Sequence, residues 1–164
     1  MPGDGGDSGG GNDNNGDSSF SHAGKTVDVS AEDLLPDAES FPSNVWSFNS
    51  SEISDAGSNV LSAFSGSYIY GVASTVMADI YVYDTVENAV NKYSDSKDGF
   101  ELSFLYVPSY GKFEQSFKVT PMVTYVYFQD MNVYGVVIAG SSLFQSQLDK
   151  IMLDIENKIH NAAH

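Results

Sequence analysis

The chain has 164 residues, 41% of them hydrophobic and 13% aromatic, which suits one folded domain with a single core. Its formal net charge is −15 and its seven basic residues are all lysine, which argues against nucleic-acid binding and against attraction to an anionic membrane. The absence of cysteine excludes disulfides, thiolate catalysis and zinc–thiolate sites.

The chain opens on a segment rich in glycine, aspartate, asparagine and serine, called the tether below. Residues 5–19, GGDSGGGNDNNGDSS, contain no large apolar side chain. The three aspartates raise the alternative of a calcium loop, but aligning Gly16 with the EF-hand glycine leaves Gly11 and His22 at two ligand positions. Such a composition buries too little apolar area to offset the entropy of ordering. The sequence therefore predicts a disordered tether over 1–28 and a single domain over 29–164.

Short elements follow the tether. Ser30 is a suitable N-cap for a short helix, SAEDLL, which Pro36 ends. The segments 44–49 and 66–74 have strand composition, whereas 51–64 is ambiguous between helix and strand.

The clearest strand is 74–84, STVMADIYVYD. Its alternation predicts one face of Val76, Ala78, Ile80 and Val82 and an opposite face of Met77, Asp79, Tyr81 and Tyr83. A helix is predicted next, because Asp84 is a suitable N-cap, Glu87 follows three residues later and apolar residues recur at helical spacing up to 94–99.

The second half of the chain predicts further strands and a final helix. Strands are expected at 100–107 and 111–119, and then a hairpin with a three-residue turn at 130–132, in which Asn132 takes the left-handed conformation. Ser142 and Gln145 form a capping box for the last helix. Its apolar stripe comprises Phe144, Leu148, Ile151, Met152, Ile155 and Ile159, with Asp149, Asp154, Glu156 and Lys158 mostly away from it.

This order of elements predicts an α+β fold. Consecutive strands joined by tight turns favour antiparallel pairing, so we expect a mostly antiparallel sheet of five to seven strands. The two longer helices are expected to pack on that sheet, and on a single face of it.

The chain also resembles archaeal and bacterial cell-surface lipoproteins that have a small α+β domain behind a tether. The similar segments are the tether, LLPDAESFPSNVW, ADIYVYDTVENAVNKY, PSYGKFEQSFKV and MNVYGVVIAG. The resemblance implies an extracytoplasmic domain anchored at the cell surface, with a natural start upstream of Met1. It implies no catalytic residues.

Histidines and carboxylates offer little sign of catalysis or metal binding. His22 falls in the tether, and His160 and His164 lie at the C-terminal end, so neither a histidine triad nor a zinc site is expected. The i, i+4 pair of His160 and His164 is more simply explained as two exposed residues than as a metal grip. The sequence thus predicts no catalytic residue, no metal and no cofactor.

Tyrosine is the abundant side chain with binding potential. Asp79, Tyr81, Tyr83, Tyr125 and Tyr127 are predicted to share one face of the sheet as a ligand or partner surface. The simpler alternative is that these rings only cover the second face of a sheet, where tyrosine is favoured.

Two functions of different classes follow from these patterns. The favoured one is an extracytoplasmic, membrane-tethered binding or interaction module whose partner is a ligand, a surface protein or a second copy of the chain. The chain has no apolar run long enough to span a membrane. The alternative is a small hydrolase using acidic residues, which a concave pocket with two carboxylates within about 10 Å would favour.

Overall fold

The computed structural model describes residues 22, 24–72, 74–99, 106–108, 113–119, 123–140, 143 and 145–164. Seven strands in these ranges form one sheet in the order β1-β2-β3-β7-β6-β5-β4, with every neighbouring pair antiparallel. The strands are β1 (Val45–Glu52), β2 (Val60–Tyr70), β3 (Ser74–Tyr83), β4 (Tyr106–Pro108), β5 (Gln115–Val119), β6 (Val123–Asp130) and β7 (Val133–Gly140). The helices are α1 (Val86–Asp98) and α2 (Gln145–Ala162). The predicted α+β fold is confirmed.

Strand β3 lies inside the sheet and bears the predicted alternation. Val76, Ala78 and Ile80 are fully buried, whereas Met77 on the opposite face is 39% exposed. The ambiguous segment 51–64 contains the end of β1 and the start of β2, which is longer than its composition alone indicated. Most of the predicted strand at 100–107 lies outside the described residues.

The two helices lie on opposite faces of the sheet, which corrects the expectation of a single covered face. Ile151 and Ile155 of α2 belong to the same core as Ile80, on the face we call the inner face. Ala89 and Tyr93 of α1 pack instead with Tyr83, Phe117, Val119 and Tyr134 on the outer face. Each helix thus covers one side of the same antiparallel sheet.

Helix α2 buries the predicted apolar stripe, with one addition. Leu148, Ile151, Met152, Ile155 and Ile159 are all buried, while Phe144 and Ser142 lie outside the described residues. Glu156 was expected to lie mostly away from the stripe, yet it is only 2% exposed. A carboxylate at this depth needs polar partners.

The start of α1 differs from the prediction by one residue. Thr85 is the N-cap, and its hydroxyl accepts a hydrogen bond from the Asn88 N–H at 3.2 Å. Asp84 instead accepts from the Asn88 side chain at 2.7 Å, so its carboxylate still stabilises the first turn.

The turn between β6 and β7 is tighter than predicted. Asp130 pairs with Val133, so the loop contains only Met131 and Asn132 rather than three residues. Met131, not Asn132, has the positive φ, at 51°, and its side chain is buried. A left-handed, non-glycine residue inside the core is strained unless its surroundings hold it in place.

The end of the tether belongs to the folded domain. The predicted N-cap Ser30 is confirmed, and it precedes a 3₁₀ helix at Ala31–Leu34. Val27 is 1% exposed and forms an antiparallel bridge with Ala163. The predicted boundary after residue 28 is therefore too late, although residues 1–21 lie outside the described ranges.

Candidate metal centre

Asp130 is a buried carboxylate at the inner face of the sheet. Residues alternate along β6, so Asp130 shares the face of Val126 and Phe128, and all three side chains are fully buried. A carboxylate that ends an apolar row must find a hydrogen-bonding or charged partner, because burying it alone is costly.

Two histidines from distant parts of the chain supply those partners. His22 Nδ1 lies 2.6 Å from Asp130 Oδ1, and His160 Nε2 lies 2.7 Å from Asp130 Oδ2. The two imidazole rings meet edge to face with their centroids 4.6 Å apart. Each carboxylate oxygen therefore binds one ring, and the N-terminal segment, the β6–β7 hairpin and α2 meet at this point.

The neighbouring residue Asn132 attaches the N-terminal segment beside the cluster. Its Oδ1 accepts from the Val27 N–H at 2.6 Å, and its Nδ2 donates to the carbonyls of Val27 at 3.0 Å and Tyr83 at 2.7 Å. On the other side of the turn, the Gln129 amide donates to the Met131 carbonyl at 2.7 Å. These bonds hold the strained turn, and so fix the direction of the Asp130 side chain.

The electrostatics of Asp130 combine two opposing effects. Burial raises the pKa of Asp130 above its usual value, while the hydrogen bonds and charges of His22 and His160 lower it and offset part of that rise. Glu156 adds a second buried carboxylate, with its Oε1 4.0 Å from His160 Nδ1. Two buried carboxylates therefore lie at this site, and their charge favours the binding of a cation such as a metal ion.

The donor set of His22, Asp130 and His160 is one that transition metals use. One ligand atom from each residue lies within 4.8 Å of the other two. A tetrahedral zinc site with bonds of about 2.0–2.2 Å separates its ligand atoms by roughly 3.3 Å. Each imidazole lies closer than that to its own carboxylate oxygen, at 2.6 and 2.7 Å, so these side chains must move apart to admit an ion.

Sequence patterns alone do not reveal this cluster. They place His22 in the tether and pair His160 only with His164, because more than a hundred residues separate His22 from Asp130. The available signal was Asp130 itself, at the end of the alternating row in β6. In a chain without arginine, the cationic side chains that can pair with a core-facing carboxylate are the seven lysines and the three histidines.

The sheet register brings the residues of the predicted tyrosine surface onto one face, but not all of them are exposed there. Asp79 pairs with Val136, and Val136 pairs with Tyr127, so the strands align Asp79, Tyr81, Tyr125 and Tyr127 on the outer face. These four side chains are half-buried. Tyr83 is only 6% exposed and belongs to the core beneath α1.

Local contacts account for much of this outer face. The Ser65 hydroxyl donates to Asp79 at 2.5 Å, and the rings of Phe117 and Tyr127 stack with centroids 4.7 Å apart. Burial raises the pKa of Tyr81 and of Tyr127 above that of an exposed phenol, so both hydroxyls stay protonated near neutral pH.

An acidic pocket of about 430 Å³ lies beside the 3₁₀ helix at Ala31–Leu34. Its lining includes three carboxylates, Glu32, Asp33 and Asp37, next to the ring of Phe48. All three acidic residues are exposed, and Lys158 pairs with Asp37 at 2.8 Å. An acid that must hold a proton at neutral pH is usually buried, and these side chains are not.

Comparisons with known proteins give no further guide to this site. No protein-family model matches the chain, and no curated protein is significantly similar to it. Among the helices that the structure describes, none is both long and apolar enough to cross a membrane.

Proposed function

We propose that the domain is a binding module that holds one transition-metal ion between His22, Asp130 and His160. The observation that carries the proposal is the convergence of three ligand atoms within 4.8 Å from three separate segments of the chain. Two imidazole nitrogens and one carboxylate oxygen suit zinc, copper or nickel, whereas calcium and magnesium prefer sites made only of oxygen.

Charge and burial support a metal ion over a simple hydrogen-bonded cluster. The side chain of Asp130 is 0% exposed and that of His22 is 9% exposed, so the carboxylate charge has little help from water. A divalent cation would balance this charge while leaving both imidazoles neutral, which is the state that binds metals. His160, at 25% exposure, marks the side from which an ion can enter.

The proposal keeps the expectation of a tethered, extracytoplasmic module. Its support is the composition of residues 1–21 and the resemblance to tethered surface domains. Catalysis by acidic residues is the less favoured alternative, because Glu32, Asp33 and Asp37 are exposed side chains in an open acidic pocket.

Metal titration tests the proposal directly. Chelator-treated protein is titrated with zinc and with cobalt by calorimetry, and the visible spectrum of the cobalt form reports the coordination geometry. We expect one ion per chain, with affinity at least tenfold weaker in His22→Ala and in His160→Ala. His164→Ala is the matched control, because it removes an exposed histidine from the same end of the chain.

Three results would contradict the metal site. They are the absence of binding at millimolar zinc, equal zinc affinity in His22→Ala and in the wild-type protein, and preferential binding of calcium over zinc. Each would leave the cluster as a hydrogen-bonded clamp between the chain ends and the hairpin.

A second proposal concerns the outer face. Tyr81, Tyr125 and Tyr127 keep part of their surface exposed on the same face as Met77, a combination of rings and hydroxyls typical of interfaces. We propose this surface as the contact for a second copy of the chain. Sedimentation equilibrium should show a dimer that Tyr125→Ser weakens at least tenfold, and a monomer at every concentration would contradict the contact.

A further inference from the structure

The N-terminal segment, residues 22 and 24–28, is attached to the domain at two points. Val27 is held by Asn132 and by its bridge to Ala163, and His22 is held by Asp130. Between these points Gly24, Lys25 and Thr26 are exposed. The Lys25 N–H donates to the His22 carbonyl at 3.0 Å, and the His164 N–H donates to the Thr26 carbonyl at 3.1 Å.

We infer that metal binding at His22, Asp130 and His160 locks this N-terminal segment onto the domain more firmly than the hydrogen bond between His22 and Asp130 does alone, so that the segment opens more often when the metal is absent. The inference rests on the proposed metal site. It adds a regulatory consequence, because the concentration of the metal then sets how often this segment opens.

The three ligands differ in how firmly the fold holds them. Asp130 ends a central pair of strands and His160 lies on a helix whose inner stripe is fully buried. In the N-terminal segment, by contrast, Val27 is the only apolar side chain that is buried. Of the three ligands, His22 is therefore the one that opens at the lowest cost when the metal leaves.

Trypsin can report this release at a single peptide bond. Lys25 is the only lysine in residues 1–91, and the chain has no arginine, so cleavage after Lys25 is the one tryptic event in that region. A protease needs an extended, released segment, so the cleavage rate follows the population in which His22 is open. Zinc at 100 times its dissociation constant should slow this cleavage about 100-fold.

Two controls separate release of the segment from other effects. Cleavage of a short lysine-containing peptide added to the same sample reports the activity of trypsin. In His22→Ala, zinc should leave cleavage after Lys25 unchanged, whereas His164→Ala should behave like the unchanged protein.

The outcomes distinguish this inference from the metal site itself. If calorimetry shows zinc binding but cleavage after Lys25 keeps its rate, the inference is overturned and the metal site stands. Equal protection of Lys25 in His22→Ala would also overturn it. If zinc does not bind, the metal site fails, and the inference fails with it.

Discussion

Asn132 acts as a backbone partner for Val27: its side-chain amide accepts from the Val27 N–H at 2.6 Å and donates to the Val27 carbonyl at 3.0 Å. A strand neighbour makes the same two bonds. The amide also donates to the Tyr83 carbonyl, so one side chain joins the N-terminal segment, β3 and the β6–β7 turn.

Asn132→Ala should lower the free energy of unfolding by at least about 3 kcal/mol, because three backbone hydrogen bonds are lost. The substitution leaves buried backbone groups of Val27 and Tyr83 without partners, at about 1–3 kcal/mol for each unsatisfied group. Urea denaturation measures the loss. Asn49→Ala, at an exposed position of β1, is the control and should change stability by less than about 0.5 kcal/mol.

Gly135→Ala should destabilise the sheet, because the ring of Phe128 lies directly on Gly135. A Cβ there would be 2.3 Å from Phe128 Cζ and 3.0 Å from the Asp79 carbonyl oxygen. We expect a loss of about 1–3 kcal/mol, the usual cost of overpacking, measured by thermal and urea unfolding. Gly140→Ala has nothing within 4 Å of its Cβ and should be neutral; equal losses at both positions would contradict this account.

Ile155→Ala should cost roughly 2–5 kcal/mol, because Ile155 is fully buried against the inner face. Leu153 on the same helix is 52% exposed, so Leu153→Ala should cost less than about 1 kcal/mol. Urea denaturation of the two variants compares the buried position with the exposed one, each changed to alanine. Similar losses of stability in the two variants would contradict the packing of α2 against the core.

Alkaline pH should weaken the fold through the outer-face tyrosines. Burial raises the pKa of Tyr83 to about 12 from its ordinary value of 10.0, with smaller effects of Tyr81 and Asp95. Since the folded pKa exceeds the unfolded one, the stabilisation is complete below about pH 10 and is lost as the pH rises towards 12.

Unfolding measured from pH 9 to 12 checks this dependence. In Tyr83→Phe the free energy of unfolding should fall less steeply with pH, because the variant lacks the phenol whose pKa is higher in the folded state. A decline of equal slope in the variant would assign the effect to other tyrosines, since burial also raises the pKa of Tyr134 and of Tyr68.

Local sequence patterns predicted the strands and helices that have one clearly apolar face. The alternation of β3 and the stripe of α2 appear in the structure because each depends on one buried face. These patterns did not predict which face of the sheet each helix covers, since either face of β3 could accept a helix. Only the structure shows that Tyr83 and Tyr93 form a second core under α1.

The candidate metal centre was beyond local prediction for a similar reason. His22, Asp130 and His160 carry no shared spacing, and their proximity depends on the Val27–Ala163 bridge and on the two-residue turn at Met131. Both features are long-range or strained. A turn that puts a buried methionine at φ 51° follows from its surroundings rather than from its own preference.

The bridge between Val27 and Ala163 also brings the two ends of the domain side by side. Neighbouring residues of an antiparallel pair lie about 5 Å apart, so a short linker could join the ends at this edge. The β2–β3 connection offers a place to reopen the chain, since Val72 is 98% exposed and Gly71 has a left-handed φ of 58°. The domain is thus suited to circular permutation, with its sheet pairing preserved and new ends placed at the opposite end of β3 from Asp130.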